Sequence, residues 1–194
     1  MSLTRDSQLV LAALGTDRPG LVSHVTRYVA ERGGNVEDSR MVALGGVFGL
    51  MLLITAGEAD AARITGGSAA LEAETGMRVL VQDASDAAER GARTLAAILL
   101  RVTARGFDHE GLLMEIADVM RSTGGNIVEL DTTTYEGVGG DVFFQLDMTV
   151  SVDSSADVDS IQRGLSAIAT RERIYVEVKL AERDVQVLPQ VTVG

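Results

Sequence analysis

Two short stretches of this 194-residue chain carry residues suited to binding a small charged molecule, and each is a copy of the other. Asp17-Arg18-Pro19-Gly20-Leu21 and Asp108-His109-Glu110-Gly111-Leu112 stand 91 residues apart, and Gly33-Gly34-Asn35 and Gly124-Gly125-Asn126 repeat at the same offset. Each five-residue stretch opens an apolar stripe of helical spacing, so it falls where a helix begins. The first N–H groups of a helix have no partner within it and carry partial positive charge, which suits a carboxylate. Gly20 and Gly111 are expected inside the first turn, where a missing side chain lets a ligand or a partner backbone reach those amides. Asp17 or Asp108 offers an acceptor to an ammonium group, and Asn35 and Asn126 can both donate and accept. Arg18 and His109 hold the matching place in the two turns, where either could meet an anion. Together these groups describe a receptor for a zwitterionic amino acid, its carboxylate on the helix end and its ammonium on Asp and Asn oxygens.

Each of these residues also has a purely structural use. Asp17 and Asp108 suit helix caps. Gly20 and Gly111 suit close packing of a helix on a strand, and Asn35 and Asn126 can satisfy backbone groups at a strand start. Gly33-Gly34 and Gly124-Gly125 read as carboxyl-terminal helix caps. His24 lies off the apolar stripe and reads as solvated, and a solvent-facing side chain is the bland reading of His109. Catalysis finds no support: Asp108 and His109 are adjacent and seldom would face one another, and no nucleophile motif, P-loop or metal-ligand spacing accompanies them. The chain has no cysteine, which excludes disulfides and thiolate chemistry. Neither a cofactor nor a metal is expected.

The elements that position these groups follow from the repeat. From Asp17 to Asn35 the two copies align without a gap and share six of nineteen residues, against roughly one expected of unrelated sequences. The apolar sites coincide as well: Leu21, Val22, Val25, Tyr28 and Val29 in the first copy, Leu112, Leu113, Ile116, Val119 and Met120 in the second, one helix face in each. Apolar residues 8–16 and 94–104 predict a strand before each helix, and the first helix is expected to start near Pro19. Residues 36–44 and 47–55 predict a hairpin turning at Gly45-Gly46, matched by 127–135 and 141–151 around Gly137-Val138-Gly139-Gly140. A second helix is predicted over 59–75, weakened by Gly66-Gly67, and another on the stripe Val158, Ile161, Leu165, Ile168. Residues 77–82 and 174–180 close each copy as a strand.

The order is β-α-β-β-α-β twice, an α+β class made of two ferredoxin-like domains, each a four-stranded antiparallel sheet with two helices on one face. The domains are expected at 7–83 and 93–181, with a linker at 84–92 and a tail or extra strand at 182–194. Strands this apolar predict that the other sheet face meets a neighbouring domain or another chain. Asp and Glu number 28 against 17 Lys and Arg, a net charge of -11. Nucleic-acid affinity comes largely from neutralising phosphates, so direct nucleic-acid binding is not expected. The longest apolar stretch, 42–56, holds three glycines and is short of the roughly 20 residues that span a bilayer. No membrane association and a cytoplasmic location are expected.

The Asp-x-x-Gly-Leu turn followed by Gly-Gly-Asn resembles the ACT domain, over residues 7–82 and 94–180. The first turn matches the signature closely, and the second departs from it by lacking the proline. The resemblance implies a non-enzymatic regulator that binds a small amino acid of the glycine or serine class. In chains made of little more than two such domains it implies indirect control of transcription, of glycine cleavage, through contact with a DNA-binding activator protein. Homo-oligomerisation is a further implication. The competing reading is a ligand-free assembly module. ACT-like segments also accompany catalytic domains, but here the two repeats leave no room for one.

Overall fold

The structure, a computed structural model, describes residues 7–84 and 98–181. Of the expected linker only Ala84 falls among them, and the expected tail, 182–194, lies outside them, as do 94–97 of the expected fifth strand. The chain divides into two compact units, Met1–Ala92 and Arg93–Gly194. Unit 1 runs β1 Ser7–Thr16, α1 Leu21–Glu31, β2 Asn35–Leu44, β3 Val47–Ala56, α2 Glu58–Gly66, α3 Ser68–Thr75 and β4 Arg78–Asp83. Unit 2 runs β5 Ile98–Phe107, α4 Leu112–Ser122, β6 Asn126–Glu136, β7 Val142–Val152, α5 Val158–Glu172 and β8 Tyr175–Leu180. The sheets have the same antiparallel order, β2-β3-β1-β4 and β6-β7-β5-β8.

Alternation places Leu9, Leu11 and Ala13 of β1 on one face, beside Leu50, Leu52 and Ile54 of β3, under Leu21, Val25, Tyr28 and Val29 of α1. Unit 2 repeats this with Leu100, Val102 and Ala104, then Leu146, Met148 and Val150, under Leu112, Ile116 and Met120. Leu113, expected on the buried stripe, is instead exposed. It follows Leu112 by about 100° around the helix and turns past the edge of the sheet.

Both first helices begin later than expected, at Leu21 and Leu112 rather than at Pro19 and its counterpart. Gly20 and Gly111 are not in the first turn but before it, with φ of 91° and 89°. That left-handed conformation ends the incoming loop and is open to glycine at little cost. Gly33 and Gly124 are left-handed as expected, and the Gly34 N–H closes α1 on the Val29 carbonyl at 3.0 Å. Gly45 and Gly46 both have positive φ, the geometry of a two-residue hairpin turn.

The helix expected over 59–75 is two helices, broken at Gly67. A Cβ on Gly67 would lie 2.6 Å from the Tyr28 hydroxyl, so α1 lies close against the chain at that point. The counterpart contact in unit 2 is Gly164, where a Cβ would meet Val119 at 2.8 Å, yet α5 continues unbroken. A lone glycine between Arg163 and Leu165 costs a helix less than the pair Gly66-Gly67 does.

The uncovered sheet faces are not duplicates. Unit 1 exposes Leu14, Val42, Leu44, Met51 and Leu80, each more than half accessible. Unit 2 shows Arg101, Thr103, Arg105, Gln145, Asp147, Glu177 and Lys179 on the matching face, with Arg101 Nε 3.0 Å from Asp147. Phe107, Phe143 and Tyr135 stack at one end, centroids 4.7 and 5.7 Å apart.

Two outcomes follow from this packing. Leu146→Ala, at a site 1% exposed, will destabilise the protein by about 2–5 kcal/mol in urea unfolding. Asp157 caps α5 through the Ser160 N–H and hydroxyl, and these bonds hold its carboxyl below the ordinary range. A lowered folded-state pKa means stability present above the unfolded value and lost as pH falls through the folded one. Asp157→Ala will therefore lower the thermal midpoint at pH 7, and the gap to the parent will close below the ordinary carboxylate range.

Candidate functional site

The two strand-to-helix corners are built alike. Each first strand ends against its hairpin: the Asp17 N–H donates to the Gly46 carbonyl at 3.1 Å and the Asp108 N–H to the Val142 carbonyl at 2.9 Å. Gly15 and Gly106, two residues earlier in the strands, let the loop after the last helix cross close by. A Cβ there would lie 2.7 Å from the Met77 side chain and 2.5 Å from that of Ile174. These glycines were missed in the sequence although they too repeat at 91 residues.

Neither Asp17 nor Asp108 caps its helix, because no side chain makes a cap bond at α1 or α4. The helices start on the carbonyls of Gly20 and Gly111, which accept from His24 and Glu115 at 2.9 and 3.0 Å. Asp17, Arg18, Pro19, Gly20, Asp108 and Gly111 are all exposed, while Leu21 and Leu112 are buried.

The second residue of each corner reaches back to the end of the last helix of its unit. Arg18 Nη2 donates to the Thr75 carbonyl at 2.8 Å, at the last residue of α3. His109 Nε2 lies 3.2 Å from the carboxylate of Glu172, the last residue of α5. A helix end of this kind carries partial negative charge, so the Arg18 guanidinium lies where it is favoured. His109 Nε2 is shielded from solvent and makes no hydrogen bond to Glu172 at that distance. The ring is thus half-buried rather than solvent-facing. His24 is not merely solvated either: its Nε2 is 2.9 Å from Glu74 of α3. Glu115, 91 residues on, pairs with Arg171 of α5, so the same helix–helix contact recurs with its charges exchanged.

Asn35 and Asn126 are not brought to the corners of their own units. Asn35 is in register with Thr55, which faces Gln8 near the start of β1, whereas Asp17 follows its end. Eight residues of strand separate the two ends, about 26 Å. Asn126 is placed likewise through Ser151 and Leu99. The Asn35 side chain donates to Glu37 at 2.9 Å. One small zwitterion cannot touch both the Asp and the Asn of one unit, which the spacing along the sequence concealed.

Beside the second corner lies an open recess of about 620 Å³ between the start of α4 and edge strand β6. Asp108, His109, Gly111, Leu113, Met114 and Ala117 form its helix side, Thr132, Thr133 and Thr134 its strand side, and Leu112, Phe144 and Leu146 its apolar floor. The N–H groups of Leu112, Leu113 and Met114 precede the first intrahelical donor, Glu115. The start of α4, the Asp108 carboxylate, Thr132 and Thr134 therefore border an apolar floor, whereas alternation along β6 puts the Thr133 side chain on the other sheet face. The threonines were missed in the sequence; the signal was the Thr-Thr-Thr run, whose counterpart in the first copy is Met41-Val42-Ala43.

Two βαββαβ units of this topology, each with a glycine corner between first strand and first helix, define a tandem of ACT-like domains. Residues 7–82 match the family model described as the ACT domain. The chain is 46% identical over 55 residues to the glycine cleavage system transcriptional repressor of Escherichia coli K12, and equally to that of Shigella flexneri. That match covers 28% of this chain and 29% of each relative, so it spans less than a third of their length. Among solved structures, an unknown protein from Galdieria sulphuraria superposes with a TM-score of 0.77 at 23% identity, over 92% of this chain and 100% of that one. A structure provisionally described as a glycine cleavage system transcriptional repressor gives 0.65 at 22% identity, over 92% and 99%. Residues 7–82 thus match the ACT domain, residues 98–181 repeat its fold, and the chain resembles the glycine cleavage system transcriptional repressor.

Gly20→Ala will cost about 1–2 kcal/mol in urea unfolding, the strain of a left-handed alanine, because no atom lies within 4 Å to clash with the new Cβ. A neutral result would show that the corner relaxes out of its positive φ.

Proposed function

We propose that this chain is a non-enzymatic regulatory protein that binds a small amino acid and acts through contact with other proteins. The single observation that carries the ligand half is the recess beside α4. It joins unpaired helix N–H groups for a carboxylate, the Asp108 carboxylate and threonine hydroxyls for an ammonium, and an apolar floor for a side chain. The second corner is the one on which this reading rests. Asn35 and Asn126 have no part in binding within their own units, and Arg18 and His109 serve their corners through the helix ends they contact.

The regulatory half rests on similarity to the Escherichia coli repressor. Its name supports control of glycine cleavage, exerted here through a DNA-binding activator protein. A net charge of -11 supports protein contact over direct contact with nucleic acid. Glycine and serine are the first ligands to test, and the cavity has room for larger apolar amino acids. No described helix is long and apolar enough to cross a membrane, and the working site of such a regulator is the cytoplasm. The assembly reading has its own support in the apolar open face of unit 1.

Isothermal titration of the full chain against the twenty amino acids will show saturable binding of at least one. The Thr132→Val and Thr134→Val double variant, which keeps volume and removes both hydroxyls, will bind that ligand about tenfold more weakly with an unchanged thermal midpoint. No heat from any amino acid with folded protein overturns the sensing proposal.

A further inference from the structure

We infer that the end of the unit 2 open face around Phe107, Arg105, Tyr175 and Arg173 binds a free purine nucleotide, its base stacked on Phe107 and its phosphate held by the two arginines. This goes beyond the amino-acid proposal, because the recess lies on the helix side of the sheet and these groups lie on the other.

The rings come first. Tyr135 of β6 and Phe107 of β5 both pair with Phe143 of β7, so the three form one row across the sheet. Near-parallel rings with centroids 4.7 and 5.7 Å apart are stacked face to face. Phe107 is 54% and Tyr135 49% exposed, so the stack is open at both ends. A four-stranded sheet with rings on its open face is a surface on which bases stack. β8 does not complete the row, since its first residue, Tyr175, is level with Arg105. A planar group on the free side of Phe107 continues the stack where no strand residue stands, and a purine offers the larger fused ring.

Charge decides between the two ends. β6, which carries Tyr135, holds Glu129, Asp131 and Glu136 and no Lys or Arg. At the Phe107 end, the Arg105 guanidinium lies 5.1 Å from the centre of the Tyr175 ring. Carrying the register on from Tyr175 brings Arg173 level with Phe107. Neither arginine has an ion pair among the described residues, and Glu177 of the same face is held by Lys179 at 2.9 Å. The planar fork of a guanidinium suits phosphate oxygens.

Arg173 supplies the independent observation. It alone among the described non-glycine residues has a positive φ, 55°. The last helix of unit 1 ends instead on Gly76, with φ 70°. Glycine takes that conformation without strain and arginine does not. The Arg173 side chain is exposed and makes no hydrogen bond among the described residues, so no contact within the unit accounts for it. A strained residue without a structural partner points to function. The other members are also foreign to the shared frame. Leu14, Thr16, Leu44, Val47 and Arg78 hold the matching ladder places in unit 1. Two arginines match the phosphate of one nucleotide, whereas a strand of nucleic acid would lay many phosphates along a chain of net charge -11.

The test is isothermal titration of the full chain with AMP and GMP, with the matching nucleosides, inorganic phosphate and oligoadenylate as comparisons. At least one nucleotide is expected to bind with a dissociation constant below about 1 mM, and its nucleoside and phosphate at least about tenfold more weakly. Phe107→Leu removes the ring and is expected to weaken binding about tenfold. Arg173→Gly is expected to weaken it by a similar factor and at the same time to raise the thermal midpoint, because the left-handed strain is relieved. A purely structural arginine would not move the two readouts in opposite directions. No nucleotide binding by the folded parent overturns the inference. So does a nucleoside that binds as tightly as its nucleotide, oligoadenylate that binds more tightly than AMP, or either variant binding as the parent does. Amino-acid titration of the Arg173→Gly chain, expected to match the parent, separates this result from the amino-acid proposal.

Discussion

The rest of the structure depends on a steric constraint at the corner where each first strand hands over to its helix. The strand end is fixed by a backbone bond to the neighbouring hairpin, at Asp17 in unit 1 and Asp108 in unit 2. The chain must then reverse within four residues and set its helix on the sheet. Gly20 and Gly111 make this possible by taking a left-handed conformation that other residues adopt only at a cost. Gly15 and Gly106 remove the side chain that would collide with Met77 or Ile174. The corner thus leaves a helix mouth exposed and draws the second residue of the turn, Arg18 or His109, onto the far end of the last helix.

On that shared frame the two halves have diverged in complementary ways. Unit 1 keeps the proline at its corner and places Met41-Val42-Ala43 along the edge strand, with an apolar open face beneath. Unit 2 loses the proline, has Thr132, Thr134 and a half-buried histidine beside a recess, and carries a charged, internally paired open face. Apolar area without directional groups favours association, whereas a cavity ringed by donors and acceptors favours a small polar ligand. Both proposed ligand sites lie in unit 2, where such groups are found. The exchanged pairs His24–Glu74 and Glu115–Arg171 show how little the frame depends on which helix carries which charge. Both are exposed, and exposed pairs contribute little to stability.

Nearly all of the fold was legible in the sequence. Hydrophobic periodicity located the helices and strands, paired glycines located the caps and hairpin turns, and the 91-residue repeat doubled every signal. The errors were local. The pair Gly66-Gly67 signalled a weak point, but one weakened helix and two short ones leave the same apolar positions, so the break itself was not legible. Leu113 sits at the margin of its stripe, where burial depends on the width of the sheet below. Gly20 and Gly111 were given the right importance for the wrong reason, since their φ rather than their position in the first turn distinguishes them.

The candidate site was half legible. Asp108, His109, Gly111 and Leu112 border the recess, but Asn126 does not, and Thr132, Thr133 and Thr134 went unremarked. A repeat identifies the residues that both copies share, and what distinguishes a site lies in what they do not share. By itself the sequence determined two ferredoxin-like domains, their strand and helix order, and the corners, because backbone propensity and burial period act over neighbouring residues. Which side chains meet across the sheet was decided only in three dimensions. A strand ladder joins residues far apart in the chain and separates others close together in it, sending Asn35 about 26 Å from Asp17 while bringing Thr132 beside Leu146 and the start of α4.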